Sequence, residues 1–79
     1  GVDEQLTSET YISVYPNPVS RVLTIESAVT DQPVVIYDAS GRIVAQYINS
    51  GKVNVDVSVF EIGVYTVKSA GNIARFIVE

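Results

Sequence analysis

Tyr15-Pro16-Asn17-Pro18 separates one alternating apolar run, Ile12–Tyr15, from another, Val22–Glu26. Each proline locks φ and lacks an N–H. Pro16 pushes Tyr15 out of the α region, and Pro18 does the same to Asn17. The stretch is therefore excluded from a helix and from the interior of a central strand. It reads as a rigid, extended corner between two strands.

Outward from that corner, short apolar runs and turn signals alternate along the chain, the pattern of a sandwich or barrel. No stretch keeps helical spacing for ten residues without a Gly, a Pro or a β-branched cluster. The spacing predicts seven strands: Ile12–Tyr15, Val22–Glu26, Val34–Tyr37, Ile43–Ile48, Lys52–Asp56, Val64–Ser69 and Ile73–Val78. Pro33 opens the third at a position a strand permits. Asp38–Arg42 is a hairpin loop with Gly41 free to take positive φ, and Asn49-Ser50-Gly51 and Ala70-Gly71-Asn72 are turns. Val53, Val55 and Val57 alternate inward between outward Lys52, Asn54 and Asp56. Leu23 and Ile25 share one face of their strand opposite Thr24 and Glu26, and Tyr65 and Val67 share one face of theirs opposite Thr66 and Lys68. The last strand is apolar nearly throughout, and Phe76 with Val78 is taken as its inner face. The predicted fold class is all-β, a seven-stranded antiparallel immunoglobulin-like β-sandwich. Glu61-Ile62-Gly63-Val64-Tyr65 resembles the start of a late strand in immunoglobulin domains, where a Tyr hydroxyl ties back to nearby backbone. Val67 stands where those domains place a Cys.

A chain of 79 residues is one small domain, and its 47% apolar content supplies a core. Residues 1–11 are polar and acidic, with Asp3, Glu4 and Glu9, and read as a lead-in to a domain at 12–79. The beginning in mid-polar sequence, with no signal peptide, is expected of a piece cut from a longer protein. The net charge is −4 without a basic run, so phosphate-backbone binding lacks its footprint and no nucleic-acid partner is expected. No apolar run approaches the roughly 20 residues of a membrane-spanning helix, and no direct membrane insertion is expected.

The residue types point away from catalysis. There is no His and no Cys, which removes the commonest nucleophile–base pairs and zinc ligands. The carboxylates are scattered, no Ser lies in a nucleophile elbow, and Lys52 and Lys68 stand on outward faces. Asn54-Val55-Asp56 has two oxygens at calcium-loop spacing but sits on a strand with no Gly following, and an outward polar face is the plainer reading. Asp38 and Ser40 supply loop oxygens, and Asp38 is more simply a turn cap. No enzyme activity, metal or cofactor is expected. Tyr11, Tyr15, Tyr37, Tyr47 and Tyr65 fall on different strands, which suits half-buried residues with a wet hydroxyl better than a sugar platform. The apolar last strand offers an edge that a partner strand, or a second copy in an edge-strand dimer, can use.

These motifs converge on a family. Val14-Tyr15-Pro16-Asn17-Pro18-Val19, Leu23-Thr24-Ile25, Val35-Ile36-Tyr37-Asp38 with Gly41-Arg42 and Val44, Gly63-Val64-Tyr65 with Val67, and a short closing strand follow one another at set intervals. In this order the chain resembles the type A C-terminal sorting domain of proteins exported by the type IX secretion system of Bacteroidetes, over about residues 12 to 79. The resemblance implies a seven-stranded sandwich at the end of a larger cargo. That cargo crosses the inner membrane, folds in the periplasm and is recognised by the outer-membrane type IX translocon. In many members a sortase-like peptidase then removes the domain and joins the cargo to anionic lipopolysaccharide at the cell surface; other members keep the domain.

By position, Pro16, Asn17 and Pro18 match the first family motif, Asp38, Gly41 and Arg42 the second, and Gly63, Tyr65 and Val67 the third. Phe76, Ile77, Val78 and Glu79 match the closing strand. Family members often carry adjacent lysines near their end; here Ala74 precedes a single Arg75 and the chain closes on Glu79. The prolines, Gly41 and Gly63 are best read as fold determinants, because they set φ values few residues tolerate. Arg42 either contacts a translocon carboxylate or pairs with Asp38 across its loop. The closing strand is the leading recognition candidate, since it is accessible and carries an edge. The expected function is a secretion address read by the export apparatus. The alternative is an adhesive or carbohydrate-binding immunoglobulin-like module, and a passive spacer is a third reading.

Overall fold

The computed structural model describes residues 12–79. They form seven strands: β1 (Ile12–Tyr15), β2 (Val22–Ser27), β3 (Pro33–Tyr37), β4 (Ile43–Ile48), β5 (Lys52–Asp56), β6 (Gly63–Ser69) and β7 (Asn72–Val78). Every expected strand is present, and no end differs from the expectation by more than one residue. No helix occurs among the described residues. The expected lead-in and Tyr11 lie outside them.

Two antiparallel sheets pack face to face. The smaller has the order β1-β2-β5 and the larger β4-β3-β6-β7. This is the all-β, immunoglobulin-like sandwich that the alternation predicts. Registry follows the inward residues. Leu23 faces Val55 and Ile25 faces Val53 in the smaller sheet. Ile36 faces Val67, and Tyr65 faces Phe76, in the larger. Leu23, Ile25, Val34, Ile36, Val57, Val67 and Phe76 are all wholly buried between the sheets. Each such side chain contributes about 1.5–3 kcal/mol of burial free energy. Phe76 and Val78 are the inner face of β7, as expected, and Ile77 points outward.

The larger sheet is kinked at its outer strand. The β3–β4 register shifts between Ile36 and Tyr37, so Val44 is an extra residue between Ala45, opposite Ile36, and Ile43, opposite Tyr37. Such a bulge bends an edge strand and raises its twist.

The proline corner lies between two strands of the smaller sheet and touches the larger one on the way. β1 pairs with β2 in the smaller sheet. After Pro18 the chain runs beside β7 of the larger sheet, with Val19 in a parallel bridge to Val78. The Val19 N–H donates to the Ile77 carbonyl (2.8 Å), and the Glu79 N–H donates to the Val19 carbonyl (2.9 Å). Val19 itself is buried in the core. The peptide bonds preceding Pro16 and Pro18 are both cis.

Candidate recognition surface

The β3–β4 loop is built on one carboxylate. Asp38 Oδ1 accepts from the Ser40 N–H (2.9 Å), the Ser40 hydroxyl (2.7 Å) and the Arg42 N–H (3.0 Å). The Gly41 N–H donates to the Asp38 carbonyl (3.0 Å), and the Asp38 N–H to the Arg42 carbonyl (2.9 Å). Gly41 takes φ +90°, the left-handed value its place in the loop was expected to need. Asp38 Oδ2 also receives Arg42 Nε and Nη2, each at 3.2 Å. Of the two roles for Arg42, the pairing with Asp38 is therefore formed, while the side chain as a whole remains 79% exposed.

The Ser40 hydroxyl, followed by the Arg42 backbone N–H, holds the Asp38 carboxyl down at about 2. Its folded value lies below the unfolded one, so its contribution to stability is complete above the ordinary carboxylate range. That contribution fades as pH falls from about 4 through about 2. Asp38→Asn is expected to remove this part of the acid dependence. Melting temperature followed across that pH window checks it: the wild type should lose stability there more steeply than the variant.

Beside this loop, Tyr65 closes the corner before β6. Its hydroxyl donates to the Glu61 carbonyl at 2.6 Å, the tie expected from the acidic-x-Gly-x-Tyr pattern. Burial raises its phenol above the ordinary value, with Glu61 and Asp38 adding to the shift. Its ring stacks between Phe60 (5.2 Å) and Phe76 (5.4 Å). Asp38, Arg42, Glu61, Ile62 and Tyr65 line one shallow depression. The second and third motifs therefore meet, although Val67, wholly buried in the core, is not part of the lining.

The first motif meets the closing strand instead. Asn17 Nδ2 donates to the Arg75 carbonyl (3.3 Å), and the Ile77 N–H donates to Asn17 Oδ1 (3.0 Å). With the two Val19 bonds, this occupies the outer edge of β7 from Arg75 to Glu79. The edge expected to be open on the closing strand is thus already covered over that length. The reason is the corner itself: prolines have no N–H to offer, and the Asn17 amide supplies a donor and an acceptor in their place. The prolines and Asn17 are exposed, and so are Ile77 and Glu79, whereas Phe76 and Val78 belong to the core.

Other expectations resolve simply. Asn54 accepts from the Thr24 hydroxyl (3.0 Å), and Asp56 accepts from the Ser58 hydroxyl (2.6 Å), which lowers the Asp56 carboxyl. The Tyr15 hydroxyl donates to Glu26 (2.7 Å), and that bond raises its phenol. Among the described residues no three potential metal ligands gather.

Sequence reasoning missed a second depression on the outside of the larger sheet, lined by Tyr37, Val64, Thr66, Lys68, Ile73 and Arg75 and, at its loop end, by Asp38, Ala39 and Gly41. Period-2 alternation of β6 places Val64 and Lys68 there directly. In β7 the signal was hidden by apolar residues on both faces.

A family model described as the secretion system C-terminal sorting domain matches residues 13–79. Among solved structures, PorZ of Porphyromonas gingivalis is similar, at 26% identity and a TM-score of 0.74. PorZ is described as an essential bacterial surface component of the type IX secretion system. The likeness covers all of this chain and 12% of the PorZ chain. No protein with a curated description matches.

Proposed function

The chain belongs to the family of secretion system C-terminal sorting domains, those of type IX secretion, and from that membership we propose that it is the address that carries an attached cargo through the outer-membrane translocon. The observation that carries the reading is the extent of the match. It covers β2 to β7 whole and β1 from its second residue. What is recognised is the surface of a folded sandwich. The motif residues divide into two roles. Pro16, Asn17, Pro18, Asp38, Gly41, Gly63, Tyr65, Val67, Phe76 and Val78 shape and fill the fold, while Arg42, Ile77 and Glu79 are exposed and available to a receptor.

After passage, a sortase-type peptidase cuts ahead of the domain and links the cargo to anionic lipopolysaccharide. The likeness to part of a surface component favours a second outcome, in which the domain is retained and the protein stays on the cell surface.

The test is a folded passenger joined ahead of residues 1–79, expressed in a type IX-competent bacterium and in a sibling lacking the translocon. Surface exposure in the first and periplasmic retention in the second is the expected result. Equal placement in both strains overturns the reading. The mass of the exported passenger then separates the outcomes: loss of the domain with a lipopolysaccharide adduct supports cleavage, and an intact tail supports retention.

A further inference from the structure

The two outer faces of the sandwich are chemically unlike. On the smaller sheet, Val22 (51% exposed) is the one large aliphatic residue on the outer face, and the polar side chains there satisfy one another as a solvated face does. Tyr15 bonds Glu26, Thr24 bonds Asn54, and Lys52 lies 3.9 Å from Glu26. An antiparallel sheet with one face on the core is expected to look like this on the other.

The larger sheet does not. Strand registry puts Ile43 beside Tyr37, Thr66 and Arg75 in one cross-strand row, Lys68 beside Ile73 in the next, and Val64 beside Ile77. Ile73 is 58% exposed, Ile43 50%, Val64 46% and Ile77 45%. These are large aliphatic side chains at positions where polar ones are the rule: Val64 and Ile77 are cross-strand neighbours, and Ile73 and Ile43 stand on the two edge strands with Tyr37, Thr66, Lys68 and Arg75 among them. Several exposed aliphatic side chains on one sheet face, interleaved with two cations, mark an interaction site.

Its charge is equally selective. The chain carries nine acidic and five basic residues. Yet no Asp or Glu occupies an outward position on any strand of this sheet, while Lys68 and Arg75 both do; the carboxylate at its loop end, Asp38, is already paired with Arg42. Among the described residues neither forms an ion pair, and Lys68 Nζ rests 5.2 Å from the centre of the Tyr37 ring. That contact holds the ammonium over the sheet, pointed at whatever covers it.

We propose that the outer face of the four-stranded sheet is the docking surface of this domain, and that its partner is a protein surface combining exposed apolar side chains with carboxylates placed over Lys68 and Arg75. The inference rests on the export reading and deepens it: the partner is a component of the export apparatus, met face to face and not by strand addition to β7. Charge complementarity selects the partner. Aliphatic burial supplies the affinity, and the two cations reject basic or neutral surfaces, because a desolvated cation left without a partner is costly.

The experiment compares export of the passenger carrying the wild-type tail, Lys68→Glu with Arg75→Glu, the charge-preserving Lys68→Arg with Arg75→Lys, and Lys52→Glu on the opposite sheet. The double charge reversal is expected to cut the exported fraction by about tenfold or more, with melting temperature little changed because both side chains are exposed. The charge-preserving pair and Lys52→Glu should export like wild type. Normal export of the charge-reversed tail overturns this docking face and leaves the export reading standing. A wild-type tail that fails to export overturns both. A final arm mixes the purified 79-residue chain with phosphatidylglycerol vesicles. Co-sedimentation lost in the double reversal assigns the face to an anionic lipid surface and overturns a protein partner; no co-sedimentation is the expected result.

Discussion

Phe76→Ala is expected to destabilise the sandwich by about 3–5 kcal/mol, the usual cost of removing a buried aromatic ring. Phe76 is wholly buried, the largest such side chain among the described residues. It also ends the Phe60–Tyr65–Phe76 stack, in which neighbouring ring centres are 5.2 and 5.4 Å apart. Truncation leaves Tyr65 stacked on Phe60 alone, and the Tyr65 hydroxyl holds the corner at Glu61. A domain of this length has roughly 4–12 kcal/mol of stability in total. The loss is therefore a large part of the whole, and should lower the melting temperature by roughly 12–40 °C. Chemical denaturation of the purified chain checks it; a loss under about 1 kcal/mol would show that the ring is replaceable. The same burial bears on how recognition is tested. Deleting Phe76–Glu79 removes Phe76 and Val78 from the core, so it unfolds the domain as well as removing an exposed end. Substitutions at Ile77, which faces outward, separate the two effects.

Asn49→Ala is the second large effect, expected at about 2–4 kcal/mol. Asn49 is wholly buried. Its Nδ2 donates to the Val29 carbonyl (2.6 Å) and more weakly to the Ser27 carbonyl (3.4 Å), and its Oδ1 accepts from the Gly51 N–H (2.9 Å). Its backbone adds two more bonds, donating to the Gln32 carbonyl (3.0 Å) and accepting from the Asp31 N–H (2.8 Å). One side chain thus ties the β2–β3 connection to the β4–β5 turn at one end of the sandwich. Alanine leaves a carbonyl and an N–H without protein partners in a part-buried place, and the cost is their desolvation. Hydrogen exchange should report it locally: the Gly51 amide is expected to lose protection before the amides of β3 and β6 do. Unchanged protection at Gly51 would mean that the Asn49 side chain does not hold this turn.

What could be read from the residues, and what could not, divides by range. Strand positions come from period-2 alternation, which is local, and Val53, Val55 and Val57 point inward as that period requires. Gly41 and Asp38 are equally local, since their loop bonds span no more than four residues. The tie at Tyr65 was recoverable because it reaches back only four residues. Asn17 was not, because its partners on β7 lie 58 and 60 residues away. Neither was Asn49, read only as a turn residue, because its partners Ser27 and Val29 lie 22 and 20 residues earlier. The docking face escaped for another reason. Alternation separates two faces of a strand only when their polarity differs, and β7 is apolar on both. Ile73 and Ile77 become conspicuous once β6 fixes their register and puts Lys68 and Arg75 among them. The covered edge of β7 has the same origin, since it depends on where the chain goes after Pro18.

Central to all of this is that the export apparatus reads a folded β surface and not a linear stretch of residues. The most direct measurement is the surface-exposed fraction of a passenger joined to residues 1–79 carrying Phe76→Ala, beside the unmodified tail, at a temperature where only the unmodified tail is folded. The account predicts the passenger with the folded tail on the cell surface and the other held in the periplasm. Both passengers reaching the surface equally would contradict it.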